Sequence, residues 1–314
     1  MRVKVLGSAA GGGFPQWNCA CSNCHRLRQG GFHGKARTQT QVAVSNHTGT
    51  WYLLGASADL RSQIESTSDL HPRTESPHTP IAGVVLTGGD LDHVLGLLLL
   101  REFQPLHLYA TAGIRRILTE DNSVFKLLQR VPEQIKWHDV HPATPFELPG
   151  GAAGHGFRCH PIGLTGKYPA YVTPERQAVL LAEEAVIGLM INEMTADSET
   201  PPKRILFAPS LPGVGAELLS KLESCDVIFV DGTFWSDDEL VRTRGAGSNA
   251  REMGHLPISG PEGSLRLLAS LRHPRKIFIH VNNTNPILDE DSAEHRQVSE
   301  AGWEIAEDGM EFQI

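Results

Sequence analysis

The stretch 82–93, which reads AGVVLTGGDLDH, carries the strongest indication of a fold in this chain. Its first six residues predict a buried strand, and a helix is predicted from Asp92 to Glu102. Ligands in α/β folds bind at the carboxyl ends of such strands. Two carboxylates and an imidazole are costly to place there without a partner, which favours a metal site. The alternative is an ordinary helix start, in which Asp90 or Asp92 is the cap and His93 has no chemical role.

Two distant segments repeat this arrangement of a strand that ends in a ligand-type residue. Val227–Asp231 is an apolar strand that ends in a carboxylate, and Ile277–His280 is one that ends in an imidazole. His255 follows a glycine in a predicted loop. A lone histidine of this kind is usually structural, but three strand ends that bring Asp, Asp-His and His together have the pattern of a metal site.

Three of the five cysteines are clustered, as Cys19, Cys21 and Cys24. Clustered thiols in a reducing compartment indicate a metal rather than a disulfide framework. A short loop can bring three thiolates to the roughly 2.3 Å of a Zn–S bond, with a fourth ligand from elsewhere or from the adjacent His25. Because three thiolates leave little room for a substrate, we expect a structural role. The alternative is a set of free thiols.

Composition and charge exclude several classes of protein. The 314 residues are 40% hydrophobic and 20% charged, which is typical of a globular chain. With 28 Lys and Arg against 36 Asp and Glu, the formal charge is −8, which is unfavourable for binding a phosphate backbone. The densest apolar stretch, Val94–Leu100, is far shorter than the ~20 residues of a membrane span. The N-terminus has no signal-peptide core, so we expect a cytoplasmic protein.

Short apolar runs alternate with helical segments along the chain. Strands are predicted at 2–6, 41–45, 51–54, 82–87, 106–109, 186–192, 205–208, 227–231, 276–281, 303–305 and 311–313. Helices are predicted at 92–102, 112–119, 215–223, 262–271 and 292–301, turns at 46–49 and 197–203, and loops and hairpins at 142–174. The glycine run 11–13 precedes Phe-Pro, so it predicts a turn and not a phosphate loop. This order predicts a layered α/β protein with a single domain, 1–314.

Taken together, the motifs resemble the metallo-β-lactamase superfamily, and within it the family that takes part in pyrroloquinoline quinone (PQQ) biosynthesis. The resemblance covers essentially the whole chain. It rests on LGSAAGGGFPQWNCACSNC (6–24), LTGGDLDHVLGL (86–97), FVDGTFW (229–235), EMGHLPI (252–258) and FIHVNNTNP (278–286). It implies an αββα sandwich with the metal site at one edge.

The superfamily's central motif, H-x-H-x-D-H, falls on Gly88, Asp90, Asp92 and His93. Asp92 and His93 match it, whereas Gly88 and Asp90 stand where the motif has its first two histidines. The resemblance therefore implies that the first of two metal positions has lost most of its ligands, and that the second keeps them.

The resemblance assigns further residues. Asp231 matches the carboxylate that bridges two metals in the superfamily, and His280 matches the last histidine ligand. His255 matches a histidine that serves substrate and acid chemistry in phosphodiesterase relatives. The cysteine cluster resembles a structural zinc loop whose fourth ligand follows the last active-site histidine by three residues. Here that position is Asn283.

Two histidines and one carboxylate with open positions are the ligand set of non-haem Fe(II) oxygenases. The resemblance then implies hydroxylation of a tyrosine-derived ring in a dipeptide or other small precursor of PQQ. Fe(II) is expected at the active site, where Zn(II) would also bind, and Zn(II) at the cysteines. Asp90 and His255 would orient the substrate or move protons. Other proteins of the PQQ pathway are the expected partners.

Two other functions remain open. A zinc hydrolase of an ester, lactam or phosphodiester would need both metal positions filled. Gly88 argues against it, since glycine has no side chain to bind a metal. A carrier that binds PQQ or a precursor and assists its transport would show tight binding without turnover.

Overall fold

The computed structural model of the protein describes residues 1–46, 49–73, 78–102, 104–150, 154–164, 166–194 and 201–314. The strands in these residues are β1 (Arg2–Gly7), β2 (Gln41–Ser45), β3 (Trp51–Leu54), β4 (Ile81–Val85), β5 (Leu106–Ala110), β6 (Ile135–Asp139), β7 (Phe146–Leu148), β8 (Phe157–Gly163), β9 (Ile187–Glu193), β10 (Arg204–Ala208), β11 (Val227–Asp231), β12 (Arg275–Ile279), β13 (Trp303–Ile305) and β14 (Glu311–Gln313).

The helices of the described residues are short. The α-helices are α1 (Ser22–Arg28), α2 (Leu60–Glu65), α3 (Leu91–Val94), α4 (Ala112–Arg116), α5 (Pro174–Gln177), α6 (Ala216–Glu223), α7 (Glu239–Arg244), α8 (Ser264–Leu267) and α9 (Ala293–Glu300). Single 3₁₀ segments are Ser68–Leu70, Leu95–Leu100, Val124–Gln129, Ala182–Glu184, Arg251–Met253 and Pro286–Leu288, and Ile117–Asp121 is a π-helical turn. Among the described residues, no helix has the length and apolar character to cross a membrane.

The first of two compact units consists of Met1–Leu6, Gln41–Lys203 and Gly309–Ile314. Its larger sheet has the order β14-β1-β2-β3-β4-β5-β6, in which β3 to β6 run parallel. Strands β2 and β3 are entirely buried, as expected for their β-branched and aromatic residues. Strands β7, β8 and β9 pair antiparallel.

The second unit consists of Gly7–Thr40 and Arg204–Asp308. Its strands β10, β11, β12 and β13 run parallel and pair in that order. All five residues of β11 are buried, which matches the continuous apolar runs of parallel strands covered on both faces. Helix α6 buries Leu218 and Leu222, which are four residues apart and so lie on one face. Because the strands are parallel, their carboxyl ends meet at one edge.

The structure confirms most predicted strands to within two residues and the helices at 215–223 and 292–301 to within one residue at each end, but shortens the other three helices. The helix predicted at 92–102 ends at Val94 and continues as a 3₁₀ segment. Gly96 explains the close packing there, since a Cβ would lie 2.2 Å from the carbonyl oxygen of Ser57. The helix predicted at 262–271 is reduced to α8. The turns predicted at 46–49 and 197–203 lie partly outside the described residues, and the single domain stays a prediction.

Candidate metal centres

The carboxyl ends of β11 and β12 position the first group of candidate ligands, in the second unit. Asp231 is the last residue of β11, and His280 follows directly after β12, whose Ile279 pairs with Asp231. Gly232 lets the chain pass close to β12, since a Cβ there would lie 2.9 Å from the Cβ of Phe278. The two predicted ligands thus meet at the sheet edge where α/β proteins bind ligands.

The carboxylate of Asp231 is fully buried and accepts four hydrogen bonds. Its Oδ2 accepts from the backbone amide of Leu211 (2.8 Å) and from Nδ1 of His255 (2.7 Å). Its Oδ1 accepts from the amide (2.9 Å) and the hydroxyl (2.6 Å) of Thr233. Burial by itself raises the pKa of Asp231, but the charge and hydrogen bond of His255, with His280 and Thr233, hold it below its ordinary value. The group is therefore a buried carboxylate anion.

The rings of His255 and His280 are stacked, with centroids 5.4 Å apart and planes inclined by 21°. The Nδ1 atoms of both rings lie near the hydroxyl of Thr233, at 3.1 Å for His255 and 2.8 Å for His280. Histidines that bind metals through one ring nitrogen usually donate the other N–H to a carboxylate or another acceptor. Candidate ligand atoms of Asp231, His255 and His280 lie within 4.8 Å of one another.

The backbone of His280 has an unusual conformation. Its φ angle is +63°, in the left-handed region that residues other than glycine seldom adopt, although asparagine, aspartate and histidine do so more often than the rest. Such a conformation costs about 1–3 kcal/mol and occurs mainly where the surrounding structure fixes it, often at functional sites. Here it turns the chain directly at the end of β12, so the residue that the sequence singled out as a ligand is also the strained one.

The residues of the central motif lie in the first unit, after β4. Asp90 occupies the N-cap position of α3, but its side chain makes no capping hydrogen bond. His93 is buried, and its Nε2 lies 3.9 Å from Oδ2 of Asp92. Because Asp90 lacks the capping hydrogen bond, the capping alternative loses its main support.

A Cβ at Gly88 would meet no described atom within 4 Å, so packing does not explain why this position has no histidine.

Tyr171 is a residue at this loop that the sequence analysis did not single out. Its hydroxyl donates a hydrogen bond of 2.6 Å to the carbonyl of Gly89. Burial, with the nearby charge of Asp90, raises the pKa of Tyr171 well above its ordinary value. The phenol is thus neutral and fixes the loop that carries the motif.

The cysteine cluster lies at the start of α1 in the second unit. Cys21 is the N-cap residue, Cys24 is buried in the helix, and the ligand atoms of Cys19, Cys21 and Cys24 lie within 4.8 Å of one another. Burial raises the pKa of Cys21 to about 11. Burial acts in the same direction on Cys19, but hydrogen bonds, including those from Cys21 and Asn283, outweigh it and lower the pKa of Cys19. Arg28 holds the loop through the carbonyl of Cys19 (2.5 Å).

Asn283 faces this cluster, as the sequence predicted. Its Nδ2 lies 3.1 Å, 3.5 Å and 3.3 Å from the sulfurs of Cys19, Cys21 and Cys24. Its Oδ1 is buried and has no hydrogen-bond partner among the described residues. The oxygen and nitrogen of an amide exchange places by a 180° rotation. That rotation would bring the orphaned oxygen to the three sulfurs, so the donor set fits a four-coordinate zinc ion.

Glu239 joins the loops that carry the two groups of the second unit. Its Oε1 accepts from the hydroxyl of Thr284 (2.5 Å), next to Asn283, and its Oε2 from the amide of Trp235 (2.6 Å). The hydroxyl of Thr284 in turn accepts from Nδ2 of Asn282 (2.6 Å). Burial raises the pKa of Glu239 to about 7. The loop after β11 and the turn after β12 are therefore fastened through one buried carboxyl group.

Sequence reasoning quoted Thr233 without a role and did not mention Glu239. For Thr233 a signal was present, because a hydroxyl two residues after a strand-terminal carboxylate can turn back and donate to it. For Glu239 the contact with Trp235 is local, but the one with Thr284 spans 45 residues and has no signal in the sequence. His25, offered as an alternative fourth ligand, is not in the cluster of sulfur ligands that the described residues form.

Comparison with known proteins agrees with this geometry. A family model described as a β-lactamase superfamily domain matches residues 50–281. The coenzyme PQQ synthesis protein B of Nitrosococcus oceani is 41% identical over 99% of each chain, and one from Methylorubrum extorquens is 38% identical over 100% of each. Among solved structures, Zn²⁺-bound PqqB from Methylobacterium extorquens matches with a TM-score of 0.89, at 37% identity and 100% coverage of both chains.

A diphosphatase of the PhnP family matches with a TM-score of 0.64 over 99% of this chain and 97% of its own, but at 20% identity it shows the fold alone. Fold and matched domain define a protein of the metallo-β-lactamase class. Within that class, the chain belongs to the family of coenzyme PQQ synthesis protein B. The predicted fold and the resemblance drawn from the motifs are thereby confirmed.

Proposed function

We propose that this protein takes part in the synthesis of coenzyme PQQ as a metal-dependent enzyme, and that it hydroxylates a tyrosine-derived ring of a peptide precursor. The names of its curated relatives support the pathway. The observation that carries the reaction type is Gly88, where the superfamily motif has a histidine and the structure has room for a side chain. A centre that lacks this ligand favours one metal with open positions over the two-metal arrangement of hydrolases.

The proposed ligands are Asp92, His93 and His280, and Asp231, which the sequence groups with them, is proposed to tune the centre, because both of its oxygens already accept hydrogen bonds. Imidazole and carboxylate groups suit Fe(II), which when bound would supply the site of O₂ activation. The buried Asp231 anion accepts the Nδ1–H of His255 and so orients that ring. The Nε2 of His255 is then the atom able to take a proton from a ring hydroxyl. Asp90 is proposed to orient the substrate.

Metal content is the first test. Protein purified without oxygen should hold about one zinc and about one iron per chain by elemental analysis. His93→Ala should keep the zinc and lose the iron, because the cysteine cluster is independent of His93. Two or three zinc ions and no affinity for iron would contradict the oxygenase proposal.

Turnover is the second test. Fe(II)-loaded protein, O₂, a two-electron reductant such as ascorbate and a Glu–Tyr dipeptide should give a product heavier by one oxygen atom, detected by mass spectrometry. One oxygen atom of O₂ enters the ring, and the other leaves as water with two electrons from the reductant and two protons. The same mixture without O₂, and the mixture with His93→Ala, should give none. An unchanged dipeptide with the loaded wild-type protein would contradict the proposed reaction.

A zinc hydrolase is the second candidate, and the Zn²⁺-bound state of a relative at 37% identity favours it. It requires two zinc ions at the active site and turnover that is independent of O₂. The carrier function would instead give tight binding of PQQ without turnover. The partners among pathway proteins and the cytoplasmic location stay predictions.

A further inference from the structure

Asp231, His255 and His280 form a group that we call the Asp231 group. Thr233 lies at its centre, and the buried hydroxyl of Thr233 has three polar neighbours. Oγ1 lies 2.6 Å from Oδ1 of Asp231, 2.8 Å from Nδ1 of His280 and 3.1 Å from Nδ1 of His255. The residue is only 2% exposed, so these contacts are made away from bulk water.

The hydroxyl has one proton to donate and two lone pairs that accept. Each oxygen of Asp231 accepts from one backbone amide and makes one further polar contact, which leaves no place for a proton on the carboxyl group, so the proton of Thr233 points to Oδ1 of Asp231. Towards His280 the same oxygen can then act only as an acceptor. A hydrogen bond at 2.8 Å therefore requires that Nδ1 of His280 carries the ring proton.

The backbone keeps Thr233 from turning away. Its amide donates to Oδ1 of Asp231 (2.9 Å), and its carbonyl accepts from the amide of Asn282 (3.1 Å) and from Nδ2 of Asn285 (3.3 Å). A β-branched side chain on a fixed backbone has few χ1 rotamers open to it. The direction of the hydroxyl is thus set by the turns after β11 and β12.

We propose that Thr233 is a positioning residue that fixes the tautomer of His280, with the proton on Nδ1 and the lone pair of Nε2 presented for a ligand. This rests on the proposed function in one respect, since the ligand meant is the metal of that centre. His255 differs, because its Nδ1 also lies 2.7 Å from Oδ2 of Asp231, so its tautomer does not depend on Thr233. The two rings therefore respond differently to one substitution, and His255 is an internal control.

The experiment uses full-length protein that keeps zinc at the cysteine cluster, holds no other metal and is labelled with ¹⁵N at histidine. Two-bond ¹⁵N–¹H correlation spectra distinguish a protonated from an unprotonated ring nitrogen. In the wild-type protein both rings should be protonated on Nδ1. Thr233→Val keeps the side-chain shape and should shift the tautomer ratio of His280 about five- to tenfold towards Nε2–H, the change expected for one lost hydrogen bond. His255 should stay as it is, and Thr233→Ser should restore His280.

A wild-type His280 protonated on Nε2, or a Thr233→Val spectrum unchanged at His280, would overturn the proposal. Unchanged His255 signals show that the variant is folded. Co(II) added to the same samples separates the two proposals through its visible absorption. Weaker Co(II) binding in Thr233→Val than in Thr233→Ser supports the positioning role. Wild-type protein that binds no Co(II) while its tautomers are as proposed would overturn the metal centre alone.

Discussion

The cysteine cluster and the Asp231 group belong to the same unit and depend on the same turn after β12, but they are built differently. In the first, three sulfurs converge on the side chain of Asn283. In the second, the Asp231 carboxylate and the Nδ1 atoms of two histidines are already hydrogen-bonded through Thr233. The candidate ligand atoms of the cysteine cluster face one another. In the Asp231 group, one carboxylate oxygen and one nitrogen of each ring already contact Thr233.

This difference separates a closed site from an open one. Four donors around one point fill the tetrahedral coordination of zinc and leave no position for a substrate. Imidazoles fixed by one nitrogen keep the other for a metal, and a carboxylate occupied by four donors acts as an anchor for them. In the proposed function, one turn of the chain would therefore serve structure through Asn283 and chemistry through His280.

Loss of a sulfur ligand should give the largest effect if the first site is structural. Cys24→Ser should lose the zinc and lower the free energy of unfolding by about 4 kcal/mol or more, because metal binding contributes directly to folding. Elemental analysis and thermal unfolding measure both. Cys225→Ser is the matched control, a buried thiol of the same unit outside the cluster. Equal zinc loss in Cys24→Ser and Cys225→Ser would contradict a structural zinc site at the cysteine cluster.

The link between the groups should appear in the pH dependence of stability. The carboxyl of Glu239 has a pKa of about 7 in the folded chain against an ordinary 4.5. Between these values the folded state holds a proton that the unfolded state releases. The contribution of Glu239 to the free energy of unfolding is therefore full below about pH 4.5 and lost as pH rises through about 7. Wild-type protein should lose up to about 3 kcal/mol of its free energy of unfolding over this range, and Glu239→Gln should not show that loss.

Urea unfolding at several pH values measures that slope. Glu217→Gln is the control, since Glu217 belongs to the same unit and its side chain is 83% exposed. A slope that is the same in wild type and in Glu239→Gln would show that the buried carboxyl does not titrate in this range.

The anchoring role of Asp231 is the next comparison. Asp231→Asn keeps the shape but cannot accept from every donor around it, and loss of such an outer partner typically weakens metal affinity 10- to 100-fold. Competition with a chelator measures the affinity for Co(II), while the zinc at the cysteines should remain. Asp308→Asn, a change at a carboxylate bonded to Ser8 and Thr38, should leave the affinity unchanged. An unaffected affinity in Asp231→Asn would contradict the anchor.

The smallest effect concerns the backbone of His280. Because φ is +63°, glycine should be preferred over alanine at this position. Both variants remove the ring, so their difference isolates the backbone. His280→Gly should be about 1 kcal/mol more stable than His280→Ala in chemical unfolding. The reverse order, usual inside strands, would show that the turn relaxes when the ring is absent.

The sequence was most informative where apolar runs are short and bounded. Val227–Asp231 is the observed β11 residue for residue, because a buried parallel strand needs a continuous apolar run and ends at the first charge. The region predicted as loops and hairpins holds β8, in which Pro161 pairs with Leu189 of β9 and lies beyond the three residues that pair with β7. Proline lacks an amide donor, so a strand tolerates it where only one side is paired. The proline that suggested a loop therefore stands in a strand at a position with one neighbouring strand.

The candidate residues were predicted better than their contacts. Asp231 and His280 lie at strand ends, where the alternation of strand and ligand-type residue indicated them. His255 was noted in a loop, and Asn283 was indicated only by the resemblance to the family. The hydrogen bond between His280 and Thr233 joins positions 47 residues apart, and no sequence period encodes such a contact. The same holds for the ring stacking of His255 on His280.

The strained turn at His280 also bears on how the chain can change. A random substitution library screened for heat resistance would enrich glycine at position 280, since it removes the strain. That screen would select against the imidazole, so thermal stability would rise while the proposed metal ligand was lost. The strain at position 280 therefore fits the proposed role of the imidazole as a ligand, and directed evolution of this protein for robustness should hold residue 280 fixed.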